Sequence, residues 1–173
     1  MTSIEVKIET GPAAEALERA AQVLSDDQPL LRAIGTGLVE VTRDRFASGT
    51  DPQGQPWAPL NPLYAATKRG PGILRDSGMR GGLMASITFD TAPGQLRVGT
   101  NKIYAAVHQF GATIRPKAAK ALAFRIGGEF VMARSVTLPA RPFLGIGPED
   151  EEMILDVTEG VIERALDSGS ATR

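Results

Sequence analysis

Ile87-Thr-Phe-Asp-Thr-Ala-Pro-Gly-Gln-Leu-Arg-Val98 decides the fold class. Ile87 and Phe89 alternate with polar residues, as do Leu96 and Val98, and Asp90-Thr-Ala-Pro-Gly94 between them supplies turn residues. That pattern predicts a half-buried β-hairpin. Further on, Leu122, Phe124 and Ile126 alternate up to Gly127-Gly128, with Phe130 and Met132 alternating after it. Paired glycines permit the positive φ angles of a tight turn, so a second hairpin is expected. Arg134 breaks the alternation and marks a bulge or an edge. Between the hairpins, Asn101 is placed to cap a short helix in which Ile103, Tyr104, Val107 and Phe110 share a face, ending at Gly111.

Helical periodicity surrounds these strands. Residues 13–24 carry Leu17, Ala20, Ala21 and Leu24 on one face. Residues 28–47 carry Leu31, Ile34, Leu38, Val41 and Phe46, with Glu40, Arg43, Asp44 and Arg45 largely opposite. Pro29 suits the first turn of that helix and Gly49 follows its last. Near the C-terminus, Gly147 and Pro148 open a helix over about 148–167, whose first turn holds Glu149-Asp-Glu-Glu152 against the positive end of the dipole. Its apolar stripe is Ile154, Val157, Val161, Ala165 and Leu166. A strand is also expected at Ile4, Val6 and Ile8. The expected fold is α+β: N-terminal helices, a small antiparallel β-sheet with an embedded short helix, and a C-terminal helix, in a single domain over 1–173.

Segment 49–82 is rich in loop signals. Asp51-Pro-Gln-Gly54 fits a type I turn. A short helix is expected over about 62–68, and Gly70-Pro-Gly72 and Gly81-Gly82 punctuate the rest. A loop region this long within one domain is more often functional or partner-bound than idle.

The 173 residues are 42% apolar and 23% charged, with no cysteine and one histidine. Without cysteine there are no disulfides, thiol nucleophiles or cysteine-type zinc sites. One histidine excludes any site needing two imidazoles. Aromatic content of 5% argues against a stacking platform for single-stranded nucleic acid. No apolar run approaches the length of a membrane span. The N-terminal residues lack the charged and apolar regions of a signal peptide, so folding in a reducing cytoplasm is expected.

The net charge of −1 conceals an asymmetry. Residues 43–141 hold 14 Lys/Arg against 5 Asp/Glu, whereas the two flanking ends together hold 5 against 15. A basic middle between acidic ends suits either nucleic-acid contact or docking between copies and onto partners. The basic residues are thinly spread and lack interleaved aromatics, which favours docking.

Candidate catalytic groups are few. His108 lies one turn after Tyr104, and the carboxylates nearest in sequence, Asp90 and Glu129, are eighteen or more residues away. No nucleophile motif accompanies it, so a packed or hydrogen-bonded structural histidine is expected. Gly145-Ile-Gly147 precedes acids that would repel a phosphate, which makes it a cap rather than an anion site. Asp51-Pro-Gln-Gly-Gln-Pro-Trp57 lacks the alternating acids of a calcium loop. No catalytic, cofactor or metal residue is assigned. The singled-out residues are structural or interfacial. Trp57 anchors its loop to the core or to a neighbour. Tyr104, His108 and Phe110 pack the central helix, with His108 able to bond a loop carbonyl. Arg115 and Lys117 (with Lys120) form a basic run that is solvated or docks a partner. Arg141, between Pro139 and Pro142, and Phe143, directly after Pro142, brace the last helix against the sheet or a neighbour.

The order of these motifs resembles the phage virion morphogenesis proteins, the Mu-like G protein and related tail-completion proteins of contractile-tailed phages. The resemblance rests on Phe46, Asp51-Pro-Gln-Gly-Gln-Pro-Trp-Ala-Pro-Leu60, Ile73-Leu-Arg-Asp-Ser-Gly78 and Leu83-Met-Ala-Ser-Ile-Thr88. It continues through Val98-Gly-Thr-Asn101, Tyr104-Ala-Ala-Val-His-Gln-Phe-Gly111, Ile114-Arg-Pro116 and Pro139-Ala-Arg-Pro-Phe-Leu-Gly145 before the acidic helix. It spans roughly residues 46–166, and Gly78-Met-Arg-Gly-Gly-Leu83 departs from the pattern by being longer by about two residues. The resemblance implies a non-enzymatic virion protein that completes the tail or joins it to the head. It also implies a homo-oligomeric ring, a hexamer or dodecamer, meeting tail terminator or tail tube and head–tail connector proteins; the basic middle leaves room for passing contact with genomic DNA, and no membrane contact is expected. Two other readings stand beside it: a nucleic-acid-binding module using the basic middle, and a small hydrolase.

Overall fold

The computed structural model describes residues 11–75 and 82–167. The strand expected at Ile4, Val6 and Ile8 lies outside them, as do most of the longer 78–83 segment and the side chain of Leu24. The architecture is α+β. Helices α1 (Gly11–Ser25) and α2 (Gln28–Ser48) come first, then a short α3 (Pro62–Thr67) within the loop-rich segment. Strands β1 (Ile87–Ala92) and β2 (Gln95–Thr100), helix α4 (Ala105–Phe110) and strand β3 (Ala112–Ile114) follow. Strands β4 (Leu122–Ile126), β5 (Glu129–Ala133) and β6 (Val136–Leu138) precede the last helix, α5 (Pro148–Asp167).

The β structure differs from a single sheet with a helix embedded in it. It consists of three two-stranded antiparallel ladders: β1 with β2, β3 with β6, and β4 with β5. In the first, pairing runs to Ala92↔Gln95, so the turn is Pro93-Gly94 alone rather than the longer Asp90–Gly94 segment. Gly94 has a φ of 67°, a conformation costly for other residues. Its N–H donates to the Asp27 carboxylate (2.6 Å), which ties the hairpin tip to the entrance of α2. The Gly127-Gly128 hairpin forms as the sequence predicts, with both glycines at positive φ. The alternation breaks at Arg134 because β5 ends at Ala133, and Val136 then turns back to pair with β3.

α2 is the central element. One side lies on the β1–β2 hairpin and another on α5, while α1 packs on α5. Small residues permit both approaches: a Cβ at Gly35 would meet the Phe89 ring and Leu96, and one at Gly37 would meet the Met153 thioether. Val39 and Phe46 of α2 enter a core shared with Trp57, Leu83, Ile87, Ala105 and Phe143. On α5, Ile154, Val157 and Val161 are half-buried and Ala165 is buried, but Leu166 is exposed, because it sits about 100° round the helix from Ala165. Leu17 is likewise exposed, so the face read for α1 is only partly covered.

The entrance to α4 also differs from expectation. Asn101 does not cap it; Tyr104 occupies the cap position with no side-chain bond, and Ile103 and Tyr104 form a turn closed by Ala105 N–H donating to the Lys102 carbonyl (3.0 Å), while Lys102 N–H donates to the Thr100 hydroxyl (3.2 Å). The helix then buries Ala105 and turns Gln109 inward, leaving Ile103 97% and Phe110 78% exposed.

Gly160 lies within α5 with open space around the position of a Cβ. Gly160→Ala is therefore expected to raise stability by up to about 1 kcal/mol through helix propensity. Gly35→Ala carries the same gain but overpacks Phe89 and Leu96, at a cost of about 1–3 kcal/mol. Urea unfolding of the two variants should give opposite shifts in midpoint.

Candidate functional site

The loop after α2 is built to deliver one side chain. Gly49, in the left-handed conformation (φ 76°), ends the helix and donates to the Arg45 carbonyl. The Asp51 carboxylate accepts from the N–H groups of Gln53 (2.9 Å) and Gln55 (2.8 Å), and Trp57 N–H donates back to the Gly49 carbonyl (2.8 Å). The closed loop sets Trp57 edge-on to Phe46, with ring centroids 5.5 Å apart. Phe143 lies on the other side of Phe46 at 5.2 Å. Both aromatic partners of Phe46 are buried, so Trp57 is a core anchor.

Residues 139–147 cross this cluster as a strap with no regular secondary structure. An irregular buried segment must find partners for its peptide groups elsewhere. Trp57 Nε1–H donates to the Pro142 carbonyl (2.7 Å). Gln109 accepts from the Phe143 and Leu144 N–H groups (3.0 Å each) and donates to the Leu144 carbonyl (2.7 Å). Arg141 N–H donates to the His108 carbonyl (2.7 Å), while its guanidinium donates to the carbonyls of Ala58 and Pro59 (2.8 Å each). Arg141 thus ties the strap to the Trp57 loop and to α4 at once.

The far end of the strap rests on a buried charge pair. Arg45, on α2, reaches the carbonyls of Phe143 and Gly145 (3.2 Å each) and pairs with the Asp150 carboxylate, which also accepts from Gly147 N–H (2.8 Å). Both side chains are buried. Gly147 is required there, because a Cβ would sit 2.6 Å from the Pro52 carbonyl carbon.

His108 stands beside this network rather than in it. Its ring meets Tyr104 edge-on at 6.0 Å, and Nδ1 is buried without a hydrogen-bond partner. It is the backbone carbonyl of His108, rather than its ring Nδ1, that joins the strap. Burial first, and the adjacent Arg141 charge second, hold its imidazole below the ordinary histidine value. Among the described residues no group of three or more His, Asp or Glu is placed to hold a metal ion, and no helix is long and apolar enough to cross a membrane. The arrangement supplies rigidity: a clamped junction whose surroundings carry exposed apolar side chains.

The family model for phage virion morphogenesis matches residues 8–163. The chain belongs to the phage virion morphogenesis family. It is 33% identical over 154 residues to the Mu-like prophage FluMu G protein 2 of Haemophilus influenzae, which covers 87% of this chain and 91% of that protein. It is 29% identical over 143 residues to protein G of Escherichia phage Mu, a protein named for a role in capsid assembly, over 81% and 82% of the two chains. The FluMu G protein 1 of the same Haemophilus strain is 26% identical over 150 residues. No solved structure matches.

In this virion morphogenesis protein the junction collects motifs that are far apart in the chain. Phe46, Trp57, the His108 carbonyl, Arg141 and Phe143 meet there, with Leu83 and Ile87 beneath. Tyr104 packs edge-on against His108 and is 43% exposed, whereas Phe110 is largely exposed instead of packing the central helix, because a six-residue helix can turn in only one face, and that face is Ala105 and Gln109. Arg115 and Lys117 lie exposed beyond β3, away from the junction. The sequence reading missed Arg45, Asp150 and Gln109. Arg45 was placed on the polar face of its helix, yet it shares the inward stripe of Leu38 and Thr42, all three buried. That spacing was the available signal.

Asp150→Ala leaves the Arg45 cation buried without its partner, and a loss of about 3–5 kcal/mol in chemical denaturation is expected. The double change Arg45→Met with Asp150→Leu should recover much of that loss, since no unpaired charge remains. A second expectation concerns pH. With the folded His108 held below its unfolded value, the unfolded chain binds the proton first as pH falls. His108 therefore contributes a loss of stability between about pH 7 and pH 5. Comparing the stability–pH profiles of the wild type and His108→Gln should isolate that slope.

Proposed function

We propose that this chain completes the phage tail or joins it to the head, as a subunit of a ring in the neck or tail end. On this reading it is made in the host cytoplasm, ends in the virion, and works by contact rather than catalysis. The ring is a hexamer or dodecamer, and its neighbours are tail terminator or tail tube and head–tail connector proteins. Membership of the virion morphogenesis family supports an assembly role. The observation that carries the finer reading is the division of the molecule. A rigid strapped body is fixed by buried aromatics and a buried ion pair, while large apolar side chains at Ile103, Phe110, Phe130 and Met132 stay exposed around it. Exposed apolar groups of this size on a charged surface mark contact with other proteins. Near Phe110, an open recess of about 350 Å³ is lined by Ile103, Ala106, Gln109 and Leu144, which suits an apolar side chain of a neighbour.

A second reading rests on the exposed basic run at Arg115, Lys117 and Lys120, which suits passing contact with DNA in the neck. Its signature is a DNA affinity that falls steeply with salt in the absence of any tail partner.

A nonsense mutation in the gene should leave heads and tails unjoined or tails unfinished in electron micrographs of lysates. Purified wild-type virions should contain the protein in a copy number set by the ring. Normal infectious particles without the protein would overturn the proposal.

A further inference from the structure

Residues 112–138 form an arm. The β3–β6 ladder is its stem, and the β4–β5 hairpin is its head, inserted between those two strands. None of these residues is buried. Register places Ala123, Arg125, Phe130 and Met132 on one face of the head, because Ala123 pairs with Met132 and Arg125 with Phe130. That face is open: Phe130 is 63% and Met132 66% exposed, while α3 touches the arm at β4. Around the two apolar side chains the arm carries Arg115, Lys117, Lys120, Arg125 and Arg134 against Glu129 alone.

The outer face of α5 is its complement. Leu155 is 61% exposed, and Glu151, Glu152, Asp156 and Glu159, all exposed, lie within one turn of it. Exposed Glu149 and Glu163 extend the acidic face in both directions. An apolar centre ringed by carboxylates faces no basic neighbour on its own helix other than Arg164. The dimensions agree as well, since a five-residue strand spans about 17 Å and three turns of helix about 16 Å.

We propose that the β4–β5 head of one copy lies across the outer face of α5 of the next copy, with Phe130 and Met132 against Leu155 and Arg125 and Lys120 against Asp156 and Glu159. Both halves of the contact are on one chain, the arm with a net charge of +4 and α5 with −7. Nucleic acid would match the cations but leave Phe130, Met132 and Leu155 uncovered. A contact made by two different surfaces repeats from copy to copy and closes when the rotation allows, so it supplies the subunit contact of the ring proposed above and rests on that reading.

Mixing complementary variants of the full chain tests the contact. Lys120→Glu with Arg125→Glu reverses the arm's two proposed contact charges, and Asp156→Lys with Glu159→Lys reverses the two that face them on α5. All four positions are exposed, so folding should be retained, with circular dichroism as the check. Sedimentation velocity should show each variant alone weakened in self-association by at least about tenfold relative to wild type. An equimolar mixture should recover wild-type association, because each reversed surface then meets its opposite. Wild-type association by the arm variant alone would overturn the proposal, as would failure of the mixture to recover or a wild type that stays monomeric at about 100 μM, well above the dissociation constants of stable assemblies. Loss of salt-dependent duplex DNA binding by the arm variant, with association intact, would assign the arm to nucleic acid and equally overturn it. Failure here is distinct from failure of the tail-completion reading, which is read from particles made without the protein.

Discussion

The Arg45–Asp150 pair pins the start of α5 and the end of the strap to α2, at the edge of the packing that α2 makes with α5 and with Phe143. Its two members sit on α2 and at the start of α5, separated by 105 residues, and both are removed from water. A buried pair of this kind is not in itself a large source of stability, because desolvation offsets most of the attraction. Its effect is on choice. Buried Arg45 is satisfied by a carboxylate from α5 on one nitrogen and the carbonyls of Phe143 and Gly145 on another. The register of the strap over the aromatic cluster follows from that requirement.

The strap itself shows how an irregular, proline-rich segment can be fixed to a core, with Arg141, Phe143 and Gly147 buried and its other residues nearer the surface. Pro139 and Pro142 lack N–H donors, which lowers the number of peptide groups needing partners. The remaining groups are met by long side chains acting as surrogate backbone: Gln109 pairs with the peptides at 143 and 144 much as a strand would, and Trp57 and Arg45 supply donors to lone carbonyls. Arg141 does the reverse, carrying donors from the strap to the carbonyls of 58 and 59. Two segments without regular structure thereby become as fixed as a sheet would make them.

Much of this fold is visible in the sequence, and the boundary of what is visible has a physical cause. The extents of α2 and α5, the Gly127-Gly128 hairpin and the Asp51 turn follow from local patterns, which depend on neighbours within a few residues. The single sheet did not form, because β3 finds its partner in β6 across an inserted hairpin, and alternation says nothing about partners. The face of α4 was misjudged for a related reason. Periodicity favours apolar Ile103, Val107 and Phe110, whereas the inward position goes to Gln109, whose amide is needed by peptides 34 and 35 residues away. Trp57 was recognisable as an anchor from its isolation, but Asp150 read as one more acid in a helix first turn. Its role depends on Arg45, 105 residues away, and no local pattern pairs the two.

The sequence separation across the junction has a consequence for synthesis. Trp57 awaits Pro142, 85 residues later, and Arg45 awaits Asp150. Neither bond can form until synthesis has passed residue 142, so a nascent chain ending before α5 holds an uncompensated guanidinium beside the aromatic core. The β1–β2 hairpin and α2 are free of that delay, since their contacts are nearer in sequence and their loop-closure entropy is smaller. The closed junction is therefore a late product of synthesis, and a chain cut short before Asp150 lacks the buried pair and the fixed strap that depends on it.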